Sequence, residues 1–231
     1  MAIVKEKSGE MMENRINIVV GHYGSGKTEF AINFALQLRE LYDTVYLVDL
    51  DIVNPYFRSN DAKDELEKLG VSVIASEYAG TNVDIPALPA EILRVFHDKN
   101  AAVVFDVGGD DDGAIALGRF KQFFDEYGYN MYLTINTFRP MTEKTEQIIE
   151  MLRNIEYSSR LNVTGLINNS NIAQFTEPKH LLEGQKIAEQ VAAETGAAVS
   201  FISGVEPVLN QLPEKYNDKK FIINRFLDLN F

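Results

Sequence analysis

The stretch Gly21-His-Tyr-Gly-Ser-Gly-Lys-Thr28 decides the fold, and it follows directly on the apolar run Ile16-Asn-Ile-Val-Val20. It matches the pattern G-x-x-x-x-G-K-[ST], in which glycines permit a tight turn and backbone N–H groups surround phosphate oxygens. The order predicts a buried strand, a phosphate-binding loop, and a helix over 27–41 whose positive end faces the anion. The alternative is a glycine-rich turn that binds nothing.

The loop supplies most of the predicted ligand contacts. Lys27 is expected to reach the β- and γ-phosphates and to assist catalysis, and Thr28 to offer its hydroxyl to Mg²⁺. The residues predicted to bind nucleotide in this stretch are Gly21, His22, Gly24, Ser25, Gly26, Lys27, Thr28 and Glu29.

Length and composition predict one domain. With 231 residues, of which 45% are hydrophobic, the chain can bury a substantial core. We expect a single nucleotide-binding domain over 15–231, preceded by a leader or frayed tail over 1–14, whose mixed charges do not resemble a secretory signal.

Charge and cysteine content exclude several classes of protein. The formal net charge is −12, so the average surface repels nucleic acid and anionic membranes, and no stretch approaches the roughly 18 apolar residues of a membrane span. Because the chain has no cysteine, disulfides, iron–sulfur clusters and thiolate metal sites are excluded, and its three scattered histidines do not predict a dedicated transition-metal site. We expect a soluble cytoplasmic protein that binds neither nucleic acid nor membrane.

Alternating strand and helix patterns predict an α/β protein with a three-layer α/β/α P-loop fold and a mostly parallel sheet of about seven strands. The predicted strands are 16–20, 45–48, 71–75, 102–106, 131–135, 163–168 and 198–202. The predicted helices are 27–41, 61–69, 86–98, 113–127, 142–157 and 177–195, the last capped by Thr176. Ligands of such sheets bind beyond the carboxyl ends of the strands.

Acidic residues follow two of these strands. The run Ala102–Asp106 ends in a carboxylate, which suits a Walker B role in orienting a Mg²⁺-bound water. Gly109 completes Asp-x-x-Gly, so its N–H could meet the γ-phosphate and signal its presence to the following segment. Asp49 and Asp51 end the second strand, and Asp51 is suited to hold a water in line with the γ-phosphorus. Ordinary turn residues are the alternative at Asp51 and Asp106.

The succession of P-loop, Val48-Asp-Leu-Asp51 and Val103-Val-Phe-Asp-Val-Gly-Gly109 resembles the MinD/ParA/CobQ group of P-loop nucleotide-binding proteins (SIMIBI class). The resemblance implies that Asp51 polarises the attacking water as a catalytic residue, and that Thr28, Asp49 and Asp106 serve the Mg²⁺ shell. It also implies a nucleotide-dependent homodimer. Many members carry a lysine after the first P-loop glycine that crosses this dimer interface, whereas this chain has His22, so Arg58 or Arg119 is expected to supply the missing charge.

The predicted nucleotide is ATP, with GTP as the alternative. The sixth strand is followed by Asn168-Asn-Ser-Asn171, where GTP-binding proteins carry N-K-x-D, and an asparagine lacks the paired acceptors for guanine. The resemblance implies that Asn168 contacts adenine, with Asn169 beside it. The loop 203–210 around Pro207 is expected to cover the other side of the base.

Three functions remain open from the sequence. The first is a Mg²⁺-dependent ATPase that acts as a nucleotide switch on an unknown protein. The second is an ATP-dependent ligase or phosphoryl-transfer enzyme of the dethiobiotin synthetase or CobQ type, with a small-molecule partner at segments 54–60 and 77–86. The third is a nucleotide sensor without useful turnover. The P-loop string also resembles that of metallochaperone GTPases, which leaves a GTPase as a further alternative.

At the carboxyl end, 219–231 shows near-helical apolar spacing and is expected to dock on the protein's own core.

Overall fold

The structure, a computed structural model, describes residues 14–50, 63–75, 90–108 and 111–226. The expectations for Asp51, Arg58, Gly109, the segments 54–60 and 77–86, and the last five residues lie outside these ranges.

Eight strands form one sheet within the described residues. They are β1 (Ile16–Val20), β2 (Val45–Asp49), β3 (Val71–Ala75), β4 (Ala102–Asp106), β5 (Asn130–Ile135), β6 (Gly165–Asn168), β7 (Ala198–Gly204) and β8 (Lys220–Ile222). Their order is β3-β2-β4-β1-β5-β6-β7-β8, and each neighbouring pair is parallel. The carboxyl ends of these strands therefore share one edge of the sheet.

Helices connect the strands and cover both faces of the sheet. They are α1 (Lys27–Leu38), α2 (Lys63–Lys68), α3 (Ala90–His97), α4 (Asp111–Gly118), α5 (Lys121–Tyr127), α6 (Thr145–Ser159), α7 (Pro178–Thr195) and α8 (Glu206–Leu209). Short 3-10 helices occur at Ala173–Phe175 and Glu214–Lys219. No described helix has both the length and the apolar composition needed to cross a membrane.

Two hydrophobic clusters place the sheet in the middle of three layers. On one face, α3 to α7 pack on alternate residues of the central strands, such as Ile16 and Ile18 of β1. On the other face, α1 and α2 pack against the opposite set, which includes Val19. The alternation follows from the period of two in a strand. The three-layer α/β/α prediction is confirmed, with eight strands instead of about seven.

An aromatic cluster joins α1 to the end of the described chain. Phe30 lies 4.5 Å from Phe221 of β8 and 5.4 Å from Phe201 of β7, measured between ring centroids. Tyr132 of β5 contacts the same cluster, and its burial raises the pKa of its hydroxyl far above the usual range.

The predicted docking of the carboxyl end on the core is confirmed through residue 226. Its near-helical apolar spacing does not correspond to a helix at 220–222, because Lys220–Ile222 pairs with β7 as a strand.

Two other local expectations were wrong. The helix predicted over 113–127 is two helices, because Arg160 donates a hydrogen bond of 2.7 Å to the Gly118 carbonyl and the chain turns there to bury Phe120. The N-cap of α7 is Glu177, not Thr176, whose hydroxyl instead bonds to the Ala173 carbonyl at 2.7 Å.

Asn33 holds the segment after β8 on α1. Its amide nitrogen donates to the Asn224 carbonyl, and its amide oxygen accepts from the Asn224 N–H, both at 2.8 Å. Phe226 N–H donates to Glu29 Oε1 at 2.5 Å. The side chain of Asn33 is thus paired with a backbone 191 residues away.

We expect Asn33→Ala to lower the free energy of unfolding by about 1–3 kcal/mol, because it leaves polar groups of Asn224 without their partners. Asn154→Ala is the matched control, since Asn154 is also inside a helix but is exposed. Urea unfolding of both variants measures the difference. Equal stability of the two would mean that the Asn33 pair contributes nothing.

Candidate functional site

The phosphate-loop sequence turns sharply between β1 and α1. A Cβ on Gly21 would lie 2.7 Å from the Thr134 carbonyl oxygen of β5, so the loop leaves the sheet in direct contact with its neighbour. Gly26 precedes α1 as its N-cap with φ of +84°, a conformation that other residues rarely adopt. A Cβ there would lie 2.3 Å from Asn169 Nδ2. Both glycines are therefore required by close packing.

A side chain directly after β6 and one near the end of β7 hold this loop in place. Asn169 Nδ2 donates to the Ser25 carbonyl at 2.7 Å, and Ser203 Oγ donates to Asn169 Oδ1 at 2.8 Å. Within the loop, Ser25 N–H donates to the His22 carbonyl at 3.0 Å. The loop is thus bonded directly to the residue after β6 and, through Asn169, indirectly to β7.

The residues that follow Gly26 open α1. Lys27 and Thr28 are 6% and 4% exposed, so both groups predicted to meet phosphate and Mg²⁺ lie inside the protein surface. The first turn of a helix offers unpaired N–H groups and a positive dipole end. This end of α1 is therefore suited to an anion.

The two acidic strand ends lie side by side. Asp49 of β2 is the register partner of Asp106 of β4, and Asp106 is also level with Val19 of β1. Neighbouring strands are about 4.8 Å apart, so Asp106 lies on the strand next to β1, which enters the phosphate loop, and Asp49 lies one strand further. Asp49 is 3% exposed and Asp106 is fully buried. An oxygen-only set of this kind suits a hard divalent cation.

A cleft of about 290 Å³ begins at this loop and extends to the loops after β5, β6 and β7. Its floor includes Gly24, Gly26 and Asn169. Its other lining residues are Glu29, Arg139, Asn171, Ala173, Gln174, Thr176, Ser203, Gly204, Val205, Ile223 and Arg225. Glu29, Asn169, Gly24 and Gly26 were predicted site residues, and the structure brings them together here.

Several predicted residues lie near the cleft without lining it. Asn168 is fully buried, and its amide nitrogen donates to the Leu181 carbonyl at 2.9 Å and to Gln185 Oε1 at 3.1 Å. Both of its N–H groups are thus used inside the protein, so this geometry does not favour direct contact with a base. Pro207 is exposed in the first turn of α8, and Gly204 and Val205 line the cleft in its place. His22 Nδ1 lies 3.0 Å from the Tyr23 carbonyl.

Sequence reasoning missed the loop after β5. Asn136 Oδ1 accepts hydrogen bonds from the N–H groups of Phe138 and Asn171, at 3.1 and 3.2 Å. Thr142 Oγ1 donates to the Asn136 carbonyl at 2.6 Å, and Arg139 Nε donates to the Gly24 carbonyl at 3.2 Å. The available signal was the polar run 136–137 directly after a strand that borders β1.

No dedicated cluster of metal ligands was found: in the four described ranges, no group of three or more His, Cys, Asp or Glu side chains could hold a metal ion. The Asp49 and Asp106 pair differs from such a cluster, because Mg²⁺ sites in proteins use one or two carboxylates, waters and substrate phosphates.

Comparison with solved structures gives neighbours of the same fold at low identity. A nucleotide-binding protein of Archaeoglobus fulgidus, in complex with ADP and with Co found, has 14% identity and a TM-score of 0.50, over 97% of this chain and 98% of its own. FlhF complexed with GTP and Mg²⁺ has 15% identity and a TM-score of 0.55, over 86% and 69%. FtsY of Thermotoga maritima has 18% identity and a TM-score of 0.53, over 83% of this chain but only 62% of its own.

These neighbours establish the class of fold. It is the α/β fold of the P-loop nucleoside triphosphatases, as predicted. No family model matches the chain, and no curated protein matches it either. The specific likeness to MinD, ParA and CobQ stays a prediction.

We expect Gly26→Ala to destabilise the protein more than Gly196→Ala. Both glycines have φ near +80°, at +84° and +82°, but a Cβ at Gly196 has no atom within 4 Å. The left-handed conformation alone costs about 1–2 kcal/mol in either variant. The clash with Asn169 adds to it only at Gly26, and urea unfolding measures the excess. Equal losses would show that Asn169 moves aside at no cost.

Proposed function

We propose that this protein is a Mg²⁺-dependent ATPase whose bound nucleotide sets the conformation of a switch that acts on a partner. The observation that carries the proposal is the alignment of Asp49 with Asp106, which lies on the strand next to β1 and its phosphate loop. Carboxylate oxygens suit a hard divalent cation, which in such sites is shared with substrate phosphates.

The loop and α1 would bind the phosphates. Loop N–H groups and the first turn of α1 supply donors, and Lys27 supplies a positive charge on the same side. Because Lys27 is mostly buried, its charge would be little screened by solvent. This supports tight binding of the β- and γ-phosphates.

Thr28, Asp49 and Asp106 would hold Mg²⁺ through hydroxyl and carboxylate oxygens, directly or through water. When bound, the ion neutralises phosphate charge and stabilises the charge that develops during phosphoryl transfer. Asp51, two residues past Asp49, is proposed to orient the attacking water, and Gly109, three residues past Asp106, to meet the γ-phosphate.

ATP is proposed over GTP for two reasons. The motif N-K-x-D is replaced by Asn168-Asn-Ser-Asn171, and Asn171 uses its amide oxygen to accept from the Ala173 N–H at 3.2 Å. The Archaeoglobus neighbour, which aligns over nearly its whole length, binds ADP, whereas the GTP complex of FlhF aligns over 69% of that chain. Asn169, Asn171 and the 204–205 turn line the cleft where the base would bind.

We expect purified protein to release phosphate from ATP in the presence of Mg²⁺, and Asp51→Asn to slow release about 100-fold or more, since it removes the group that orients water. Binding of ATP should survive, because Asp51 is not proposed to hold the phosphates. Asp43→Asn, an exposed carboxylate before β2, is the control and should keep the wild-type rate.

The same assay separates the alternatives. Faster release from GTP would overturn the nucleotide assignment, and equal rates in Asp51→Asn and wild type would overturn the role of Asp51. Binding of ATP without release would contradict the ATPase proposal. A size shift with ATP on a sizing column would indicate the nucleotide-dependent dimer despite His22.

A further inference from the structure

We infer that Arg139 is a nucleotide-binding residue that contacts the phosphate chain. Arg139 follows β5 and lines the cleft that begins at the phosphate loop. The inference rests on the proposed nucleotide binding, and it assigns to this residue the cationic role that the sequence suggested for Arg58 or Arg119. Arg119 lies exposed in the turn between α4 and α5 and does not line the cleft.

The guanidinium group is fixed against the phosphate loop. Arg139 Nε donates to the Gly24 carbonyl at 3.2 Å, and a Cβ on Gly24 would lie 3.7 Å from Arg139 Cζ. Gly24 is in the middle of the stretch whose backbone would surround the phosphates. The guanidinium is therefore hydrogen-bonded to the phosphate loop, at the part of the cleft where the phosphates are proposed to bind.

The rest of the group is available to a ligand. Among the residues that the structure describes, none accepts a hydrogen bond from the two terminal nitrogens of Arg139 or forms an ion pair with them. An arginine whose Nε is already bonded presents these nitrogens as a planar fork, which matches two phosphate oxygens.

The backbone that carries Arg139 is rigid although its side chain is exposed. Arg139 N–H donates to the Asn136 carbonyl at 3.1 Å, and the buried Thr142 Oγ1 lies within hydrogen-bonding distance of both the Asn136 and the Arg139 carbonyls. Asn136 in turn is bonded to Asn171 across the cleft wall. Little backbone order would thus have to be created when nucleotide binds.

The charge of the cleft also favours an anion. Two guanidinium groups, Arg139 and Arg225, line it with one carboxylate, Glu29, whose Oε1 accepts the Phe226 N–H. The whole chain has a formal net charge of −12, so this local excess of positive charge is opposite to that of the average surface. Such a cleft concentrates anionic ligands.

The test compares the affinities of adenosine, AMP, ADP and ATP for wild type, Arg139→Ala and Arg139→Lys by isothermal calorimetry. We expect Arg139→Ala to weaken ADP and ATP about 10-fold, which is about 1.4 kcal/mol, with adenosine unchanged. Arg139→Lys should recover part of the loss because it keeps the charge but not the fork. The loss should shrink as salt concentration rises.

Arg153→Ala is the matched control, since Arg153 is an exposed arginine on α6 whose ion pair with Glu156 is remote from the cleft lining. Arg139→Gln keeps a donor that can reach the Gly24 carbonyl, so it answers the same question if Arg139→Ala unfolds. An equal loss for adenosine and ADP, or no loss at all, would overturn the inference while leaving nucleotide binding intact. Failure of wild type to bind any of the four ligands would overturn the proposed function itself.

Discussion

The parallel register of β2, β4 and β1 is the constraint on which the rest of the site depends. Backbone hydrogen bonds fix Asp49 level with Asp106 and Asp106 level with Val19, so two carboxylates and the start of the phosphate loop occupy neighbouring strand ends. A slip of one residue in β4 would turn Asp106 to the opposite face of the sheet and Phe105 toward the site. The apolar packing of α1 on one face and α3 on the other makes such a slip costly, because both faces of β4 are buried.

A second level of order comes from side-chain amides directly after β5 and β6 and a hydroxyl near the end of β7. Asn136 accepts a hydrogen bond from the loop after β6, and Ser203 donates one to Asn169. Asn169 in turn donates to the phosphate loop. Buried polar groups of this kind are costly unless each finds a partner, so the loops have few alternative arrangements. The cleft is therefore formed before any ligand enters it, which is the condition for efficient binding of a small charged molecule.

The sequence predicted the strands well where the apolar runs were continuous and the segments on either side were clearly polar or rich in glycine. β1, β3 and β4 have the predicted limits, since each is a short apolar run between polar or glycine-containing segments. The prediction missed β8, because three residues are too few to show an alternating apolar pattern. The pairing of β8 depends on aromatic contacts between Phe221 and residues far away in the chain. The break at Gly118 depended on Arg160, 42 residues later, and no local rule reports such a partner.

The site was predictable in part for the same reason. Motifs identified the phosphate loop and both strand-end carboxylates, since their chemistry needs those residue types at those places. Arg139 was missed because a single arginine in a loop belongs to no motif. Its position at the site is indicated only by its hydrogen bond to the Gly24 carbonyl. Asn168 was assigned to the base from resemblance, while its neighbour Asn169 bonds to the phosphate loop. Adjacent residues on a strand end point in opposite directions, so a motif shifted by one position selects the wrong side chain.

The attachment of residues 221–226 to α1 has a consequence for how the chain folds. Phe30 and Asn33 contact Phe221 and Asn224, so α1 cannot complete its packing until residues 221–224 have been synthesised. Contacts of such long sequence separation slow folding, because the entropy of closing the loop is lost before the contact stabilises anything. On the ribosome, the helix that follows the phosphate loop would wait with an exposed aromatic face, and this interval is when the nascent protein is most open to aggregation or to a chaperone.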